Sequence, residues 1–249
     1  MTAPTAAMLT IGDEILSGRT RDANMPRLAA ALSEKGISLR EARVVPDIQA
    51  EIVDALNALR ARYTHVFTSG GIGPTHDDIT ADAVAAAFGV GIDVRADARA
   101  ILATNYADPD VDLNAARLRM ARIPDGAVLI ENPVSKAPGF SIANVHVMAG
   151  VPNVFAAMVE GLLPRLAGGP PLLSVSLRAE FPEGVLAGPL GIIAVAHPDV
   201  SIGCYPFNIN GRFGANLVAR STDPAALAAV EQALSEMVRM LEARRPKPG

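Results

Sequence analysis

The fold of this chain is best inferred from one stretch, Thr68-Ser-Gly-Gly-Ile-Gly-Pro-Thr-His-Asp-Asp-Ile-Thr-Ala-Asp82. It follows an apolar run at residues 63–67 that predicts a buried strand, and it leads into an apolar run at 83–88 that predicts a helix. The glycines at positions 70, 71 and 73 allow positive φ angles and a close approach of the backbone to a ligand. Thr80 is placed to cap the helix, whose first amides would attract an anion.

Two adjacent carboxylates, Asp77 and Asp78, lie in the same connection as the glycines. Backbone amides can hold phosphate and carboxylates can hold a divalent cation, so the combination predicts a site for a phosphate ester or a nucleotide. The alternative is a tight turn between strand and helix with a solvated acidic pair.

The composition of the 249 residues suits one large domain or two modest ones. Half of the residues are apolar but aromatics are scarce, so the core must be built from Ala, Val, Leu and Ile, as in helices packed on a parallel sheet. The net charge of −4 and the scattered basic residues argue against a nucleic-acid partner. Cys204 is the single cysteine, which excludes an internal disulfide and a Cys-based zinc cluster.

The N-terminal residues lack the basic start and the long apolar run of a signal peptide. No uninterrupted apolar run reaches the roughly 18 residues that a membrane span requires. We therefore expect a soluble, cytoplasmic protein without a membrane partner.

Strand-like and helix-like segments alternate over the first two-thirds of the chain. The predicted strands are residues 6–11, 37–45, 63–69, 127–130, 139–142 and 145–148. The predicted helices are residues 24–35, a segment opened by Pro46-Asp47, 83–88, a broken segment at 93–121, and 152–166. This alternation predicts a mostly parallel sheet with helices on both faces. Ligands of such sheets bind where the loops after parallel strands meet, here after Ile11, Val45, Ser69 and Met148.

The pattern changes after a Gly- and Pro-rich linker at residues 167–171. Three predicted strands (173–181, 201–207 and 215–220) and two predicted helices (185–196 and 225–243) follow. Two helices on a small antiparallel sheet form a minor α+β domain. We therefore expect two domains, residues 1–168 and 172–245.

Five motifs in order carry a resemblance to a known family: Gly12-Asp-Glu-Ile-Leu-Ser-Gly18 with Asn24, Val45-Pro-Asp47, Gly70-Gly-Ile-Gly-Pro-Thr-His-Asp-Asp-Ile-Thr80, Asn132-Pro-Val-Ser-Lys-Ala-Pro-Gly139 and Met148-Ala-Gly-Val-Pro152. They cover residues 6 to about 166. The chain resembles the molybdopterin-binding-like superfamily of the Mog and MoaB proteins. It is most similar to the N-terminal domain of CinA (competence/damage-inducible) proteins and to the matching domain of eukaryotic FAD synthases.

The resemblance implies a three-layer α/β/α fold that binds a phosphorylated pterin- or nucleotide-like ligand. It also implies metal-dependent hydrolysis of a dinucleotide pyrophosphate such as ADP-ribose or FAD, and a homo-oligomer. Two other functions stay open: a molybdopterin-binding protein of molybdenum cofactor metabolism without turnover, and molybdopterin adenylyl transfer of the Mog type.

The acidic functional positions implied by the resemblance are Asp47 and Asp78, which we expect to hold a divalent cation and the attacking water. Asp77 and Glu14 are further candidates for metal ligands. Hard oxygen ligands favour magnesium or manganese over zinc, and cobalt is a further candidate ion. The residues that we expect to contact the phosphate or the ligand are Ser69, Gly70, Gly71, Gly73, Thr75, Asn24 and Lys136.

Several of these residues have a plainer interpretation. Asp47 follows a proline at a helix start, so composition alone favours a capping role, and the resemblance reverses that preference. Glu14 could lie in a solvated loop, and Lys136 could be an exposed surface lysine.

Two positions depart from the CinA pattern. His76 stands where CinA proteins often have Lys, so a basic partner for phosphate could be lost or made pH-dependent. Met148-Ala149 replaces a more typical Leu-Pro pair. The other histidines, at positions 65, 146 and 197, lie in or beside apolar runs and are predicted to be structural.

Overall fold

The computed structural model of the chain describes residues 3–209 and 211–244. The predicted domain limits at residues 1 and 245 lie outside these described residues. Contacts divide the described chain after Gly169 into a larger first unit and a smaller second unit. None of the helices in the described part of the chain is long and apolar enough to cross a membrane.

The described residues of the first unit, 3–169, form eight strands and eight helices. The strands are β1 (Thr5–Ile11), β2 (Ser38–Val45), β3 (His65–Ser69), β4 (Ile92–Val94), β5 (Arg122–Pro124), β6 (Val128–Ile130), β7 (Gly139–Ile142) and β8 (Val145–Met148). The helices are α1 (Asp13–Leu16), α2 (Asn24–Glu34), α3 (Gln49–Arg62), α4 (Thr80–Phe88), α5 (Ala96–Ala103), α6 (Pro109–Asp112), α7 (Ala115–Leu118) and α8 (Pro152–Leu162). Short 3₁₀ turns follow α7 and α8.

Six strands form the central sheet, in the order β2-β1-β3-β8-β7-β6. The first four are parallel to one another, whereas β7 and β6 are antiparallel to their neighbours. The predicted mostly parallel sheet is therefore confirmed. Its consequence for function is that β2, β1, β3 and β8 end side by side at one edge of the sheet.

Alternating residues of β1 belong to two separate apolar clusters. Leu9 and Ile11 join the cluster that includes Ile52 of α3 and Val84 of α4. Met8 joins the cluster that includes Phe155 of α8 and residues of α2. Because side chains alternate across a strand, this division places helices on both faces of the sheet and confirms the three-layer α/β/α fold.

The segment predicted as a broken helix at residues 93–121 is only partly helical. It begins in β4, continues through α5, α6 and α7, and ends just before β5, which pairs with β4 in a separate antiparallel ribbon. The strand β5 was not predicted at all. This part of the prediction is wrong because β5, Arg-Ile-Pro, contains no continuous apolar run, whereas the equally short β6, Val-Leu-Ile, does.

The second unit consists of β9 (Leu173–Ala179), α9 (Glu183–Ala196), β10 (Ser201–Ile209), β11 (Arg212–Ser221) and α10 (Pro224–Ala243). The strands form an antiparallel sheet in the order β10-β11-β9. Its core combines Leu186 of α9 and Val230 of α10 with Leu217 of the central strand. The predicted small α+β arrangement is observed.

Candidate functional site

The loops after four parallel strands meet at one edge of the central sheet, as expected. The Gly12 amide, after β1, donates to the Val45 carbonyl at the end of β2 at 3.1 Å. The Gly70 amide, after β3, donates to the Met148 carbonyl at the end of β8 at 3.2 Å. The first bond joins the loops after β1 and β2, and the second joins the loops after β3 and β8.

Two glycines of the turn after β3 have positive φ angles, 105° at Gly70 and 67° at Gly71. A side chain at Gly70 would collide with the Ile11 carbonyl, and one at Gly71 would collide with the Thr80 hydroxyl. Gly73 does not share this conformation. The expectation of a positive φ is wrong there, and a side chain is excluded because it would lie 2.6 Å from the Asp78 carboxylate.

Thr80 holds the glycine turn, which corrects its predicted role as a helix cap. The helix α4 begins at Thr80 itself and has no side-chain cap. The Thr80 hydroxyl donates to the Gly70 carbonyl at 3.0 Å, and its amide donates to the Gly71 carbonyl at 2.9 Å. The side chain is fully buried, so both bonds are shielded from water.

The amides of the glycine turn are not equally available to a ligand. The Gly70 amide is already bonded to Met148, so it cannot hold phosphate as we expected. Within the described residues, the amides of Gly71 and Gly73 have no protein acceptor. Gly70 therefore contributes the shape of the turn, and the two later amides remain free to donate.

Asn24, the first residue of α2, connects three of the loops. Its side-chain Nδ2 donates to the Ser69 hydroxyl at 2.8 Å and to the Gly150 carbonyl at 2.7 Å. Because a carbonyl can only accept, the orientation of the Asn24 amide is determined. Its Oδ1 is buried and has no hydrogen-bond partner within the described residues, so it can accept from a water or a ligand.

Asp22 and Thr10 take part in this arrangement and were missed by the sequence analysis. The Asp22 carboxylate accepts from the backbone N–H of Asn24 at 2.8 Å and from the backbone N–H of Met25 at 3.2 Å, so it caps the first turn of α2. It also accepts from the Thr10 hydroxyl at 3.3 Å. An aspartate two residues before Asn24 could have been recognised as a helix cap.

A small open pocket of about 60 Å³ lies among these residues. Its polar lining residues include Thr10, Glu14, Asp22, Asn24 and Ser69. Pockets that enclose a whole small-molecule ligand have about 300 Å³ or more, so this pocket has room for a single polar group of a ligand and not for a pterin ring or a nucleoside.

Asp47 does not cap a helix, because α3 begins two residues later at Gln49. Its carboxylate instead accepts from the Asp13 amide at 3.1 Å. Partial burial raises the pKa of Asp47, and the nearby charges of Asp13, Glu14 and Asp77 raise it further. The capping interpretation is thus wrong, and Asp47 lies in a group of acids whose mutual repulsion a cation would relieve.

Asp78 is held by its own loop. Its carboxylate accepts from the Thr75 backbone N–H at 2.8 Å and from the Thr75 hydroxyl at 2.5 Å. The hydroxyl proton of Thr75 is therefore already engaged in a hydrogen bond within the loop. The Thr75 side chain also lowers the pKa of the neighbouring Asp77. The His76 side chain is 99% exposed and lies 3.8 Å from Asp77.

The family of the chain can now be stated. Residues 7–168 match the family model described as a probable molybdopterin binding domain. The chain belongs to this family. Residues 171–244 match the model of the middle domain of FAD synthase. Both matches confirm the resemblance inferred from the motifs.

Relatives of this molybdopterin-binding domain protein include chains of equal and of greater length. A protein from Pyrobaculum calidifontis is 32% identical over 255 residues, which cover 97% of both chains. A CinA-like protein from Syntrophotalea carbinolica is 33% identical, over 64% of this chain and only 40% of the relative. The crystal structure of the protein CinA with unknown function from Thermoplasma acidophilum superimposes with a TM-score of 0.61. It is 34% identical and covers 66% of this chain and 98% of that one.

The predicted metal ligands of this molybdopterin-binding domain do not complete a metal centre. Within the part of the chain that the structure describes, no three His, Cys, Asp or Glu side chains are grouped so that they could hold an ion. Magnesium is commonly held by one or two carboxylates together with water and substrate phosphates. Asp47 or Asp78 fits the role of such a carboxylate, and Asp77 and Glu14 contribute further negative charge.

Lys136 is not among the residues that line the cleft beside Gly71 and Gly73; the basic residues there are Arg119 and Arg122. Lys136 has a positive φ of 60° and donates its amide to the Asn132 carbonyl at 3.1 Å.

His65 and His146 lie side by side in the sheet, with His146 buried and His65 half-buried. His65 Nδ1 lies 3.1 Å from His146 Nε2, and His146 Nδ1 lies 2.9 Å from the Ser141 hydroxyl. Burial lowers the pKa of His146 to about 3, and the charges of His65 and Arg165 lower it in the same direction. The predicted structural role of these two histidines agrees with this geometry.

Proposed function

We propose that the first unit binds a phosphorylated pterin- or nucleotide-like ligand where β1, β3 and β8 end. The observation that carries the proposal is the pair of unpaired amides at Gly71 and Gly73, in a turn that Thr80 holds in place. Donors positioned before a ligand arrives need little reorganisation to bind an anion.

The two sides of the site suit different parts of such a ligand. The glycine amides offer donors, which suit phosphate oxygens. The open pocket offers acceptors: the unpaired Asn24 Oδ1 and the carboxylates of Asp22 and Glu14. A buried acceptor without a partner favours a ligand group that donates, such as a ribose hydroxyl or a pterin N–H. The proposed ligand therefore presents its phosphate to the turn and a hydroxyl or N–H of its sugar or ring to the pocket.

The finer proposal is metal-dependent hydrolysis of a dinucleotide pyrophosphate such as ADP-ribose or FAD. A divalent cation, when bound, would neutralise charge on the phosphate oxygens. Asp47 and Asp78 would provide carboxylate oxygens for magnesium, manganese or cobalt, and one of them would orient the attacking water. Gly71 and Gly73 would hold the phosphate in place during the reaction.

Binding of molybdopterin or a related ligand without turnover is the second candidate function. It is favoured by the lack of a group of three metal-ligating side chains within the described residues. A binding protein needs the amides and the acceptor pocket, but it does not need a complete metal site.

One experiment separates these functions. The protein is incubated with ADP-ribose, FAD or a molybdopterin analogue, together with magnesium, manganese or cobalt, while binding and phosphate-ester products are measured. Hydrolysis is expected in the wild type and is expected to be lost in Asp78→Asn, which should remain folded. Asp110→Asn is the control, because Asp110 is a surface residue whose side chain is 95% exposed.

Each result has a distinct meaning. Binding without products under any of the three metals favours the non-catalytic function. A fully active Asp78→Asn variant shows that the acid assignment is wrong. Failure to bind any of the three ligands contradicts the proposed function as a whole.

A further inference from the structure

A narrow second cleft borders the glycine turn. It is lined by Gly71, Gly73 and Asp78 on one side and by Asp82, Arg119 and Arg122 on the other. Arg119 follows α7 and Arg122 is the first residue of β5, so both come more than 40 residues after the turn in the sequence. Two residues of the glycine turn and two arginines therefore line the same cleft.

The two arginines differ in how their charge is balanced. Arg122 forms a two-point pair with the Asp82 carboxylate, with N–O distances of 2.7 and 2.8 Å. Arg119 has no carboxylate partner among the described residues, and its Nη2 donates to the Asp78 carbonyl at 2.9 Å. Arg119 is thus the cation in this cleft whose charge remains available to an anion.

The Nε of Arg119 is buried and has no hydrogen-bond partner in the described chain. Buried donors of native proteins almost always have a partner, and a charged donor is the most costly to leave alone. The guanidinium is anchored at Nη2, so an acceptor must come to the Nε–H. An oxygen of a ligand bound at the adjacent glycine amides would supply it.

We propose that Arg119 is an anion-binding residue of this site and that it takes a phosphate oxygen of the ligand together with the amides of Gly71 and Gly73. This inference rests on the proposed function of the first unit. The basic partner of the phosphate is then Arg119, and neither His76 nor Lys136 is needed for that role. The Asp78 carbonyl orients the guanidinium, so the acidic loop and the anion site form together.

The test is calorimetric titration with inorganic pyrophosphate and with ADP-ribose. Arg119→Gln keeps an amide that can donate to the Asp78 carbonyl but removes the charge and the second donor. It is expected to weaken both ligands by about tenfold or more, as loss of a charge-assisted hydrogen bond does. Arg119→Lys keeps the charge without the planar fork and is expected to bind more weakly than wild type but better than Arg119→Gln.

Arg117→Gln is the matched control. Arg117 lies two residues earlier, donates to the Asp112 carbonyl at 2.7 Å and stacks on the Tyr106 ring at 4.7 Å. It does not line the cleft, so its replacement should leave both dissociation constants unchanged. Thermal unfolding of each variant shows whether the fold is retained.

The outcomes separate the inference from the function on which it rests. If the wild type binds and Arg119→Gln binds equally well, the role of Arg119 is overturned while the proposed function stands. An equal loss in Arg117→Gln also overturns it, because the effect is then not specific to the cleft. If Arg119→Gln does not fold, Arg119→Lys decides: weaker binding supports the inference, and unchanged binding overturns it. A wild type that binds neither ligand overturns both.

Discussion

Asn24 and Thr80 hold the loops around the glycine turn from two sides. Asn24 joins the Ser69 hydroxyl to the Gly150 carbonyl, while Thr80 bonds the Gly70 carbonyl. Buried hydrogen bonds of this kind are strong because water does not compete for them. The amides that would bind phosphate therefore keep their positions without a ligand, which is the basis of a pre-organised site.

Replacement of Gly70 by Ala tests how far the turn depends on its backbone conformation. The φ of 105° is unfavourable for Ala, and the new Cβ would collide with the Ile11 carbonyl. We expect the free energy of unfolding to fall by about 2–4 kcal/mol in urea denaturation. The control is Gly161→Ala in α8, where no atom beyond the adjacent helix backbone would lie within 4 Å of the new Cβ. A slight stabilisation is expected there. Equal stability of wild type and Gly70→Ala would show that the turn tolerates a side chain.

The buried His146 predicts a loss of stability in acid. Its pKa is about 3 in the folded protein against 6.5 for the free side chain. Below pH 6.5 the unfolded chain therefore gains a proton that the folded protein does not, so stability falls as the pH drops from 6.5 toward 3. The lowered pKa of His65 acts in the same direction.

The measurement is urea denaturation at pH 6.5 and at lower pH. Between pH 6.5 and 4.5, we expect His146 to account for a decrease of about 2–3 kcal/mol in the free energy of unfolding. His146→Gln should reduce this pH dependence, whereas His76→Gln at an exposed position should not. An unchanged pH dependence in His146→Gln would contradict the assignment.

At the level of elements, the long amphipathic helices could be predicted from their local patterns. The helices α2, α3 and α10 have 11, 14 and 20 residues, enough for an apolar face to repeat, and all three were predicted. The elements β4 and β5 have three residues each and form because they pair with each other. Their pairing partner lies about 30 residues away, so no local pattern specifies it.

The start of α10 provides a test at this scale. The Asp223 carboxylate accepts from the Ala225 amide at 2.8 Å and from the Ala226 amide at 3.4 Å. Asp223→Ala removes this cap and is expected to lower the free energy of unfolding by about 1 kcal/mol. Asp223→Ser keeps an acceptor and should remain close to wild type in the same denaturation experiment. Equal losses in both variants would show that the cap is not the cause.

At the level of the whole molecule, each unit has its own apolar core and its own family match. Two clusters on the faces of the six-stranded sheet form the core of the first unit, and a third cluster forms the core of the second. The candidate site uses residues of the first unit alone.

The predicted homo-oligomer remains to be tested. Light scattering coupled to size-exclusion chromatography, at micromolar concentration, is expected to give a multiple of the 25.9 kDa chain mass. The expectation rests on the resemblance to oligomeric proteins and on exposed apolar helix surface, such as Ile192 at 73% exposure. A mass equal to one chain would contradict it.

The sequence by itself determined the strand, glycine turn and helix around residue 70, the ordered motifs of the family and the longer helices. Turn chemistry and apolar periodicity are local properties, so they can be recognised without knowing what lies nearby in space. The chemistry of this loop also indicated Asp77 and Asp78, whereas Asn24 and Asp47 were indicated by the family resemblance.

Only the tertiary structure decided which groups of the site are free and which are occupied. The backbone N–H of Gly70 donates to the Met148 carbonyl. The side-chain amide of Asn24 donates to the Gly150 carbonyl, 126 residues away in the sequence, and the Arg119 guanidinium donates to the Asp78 carbonyl, 41 residues away. These contacts exist because β3 pairs with β8 and because the segment before β5 packs beside the glycine turn. Hydrogen bonds are short and directional, so they depend on the final positions of distant segments, which local periodicity does not encode.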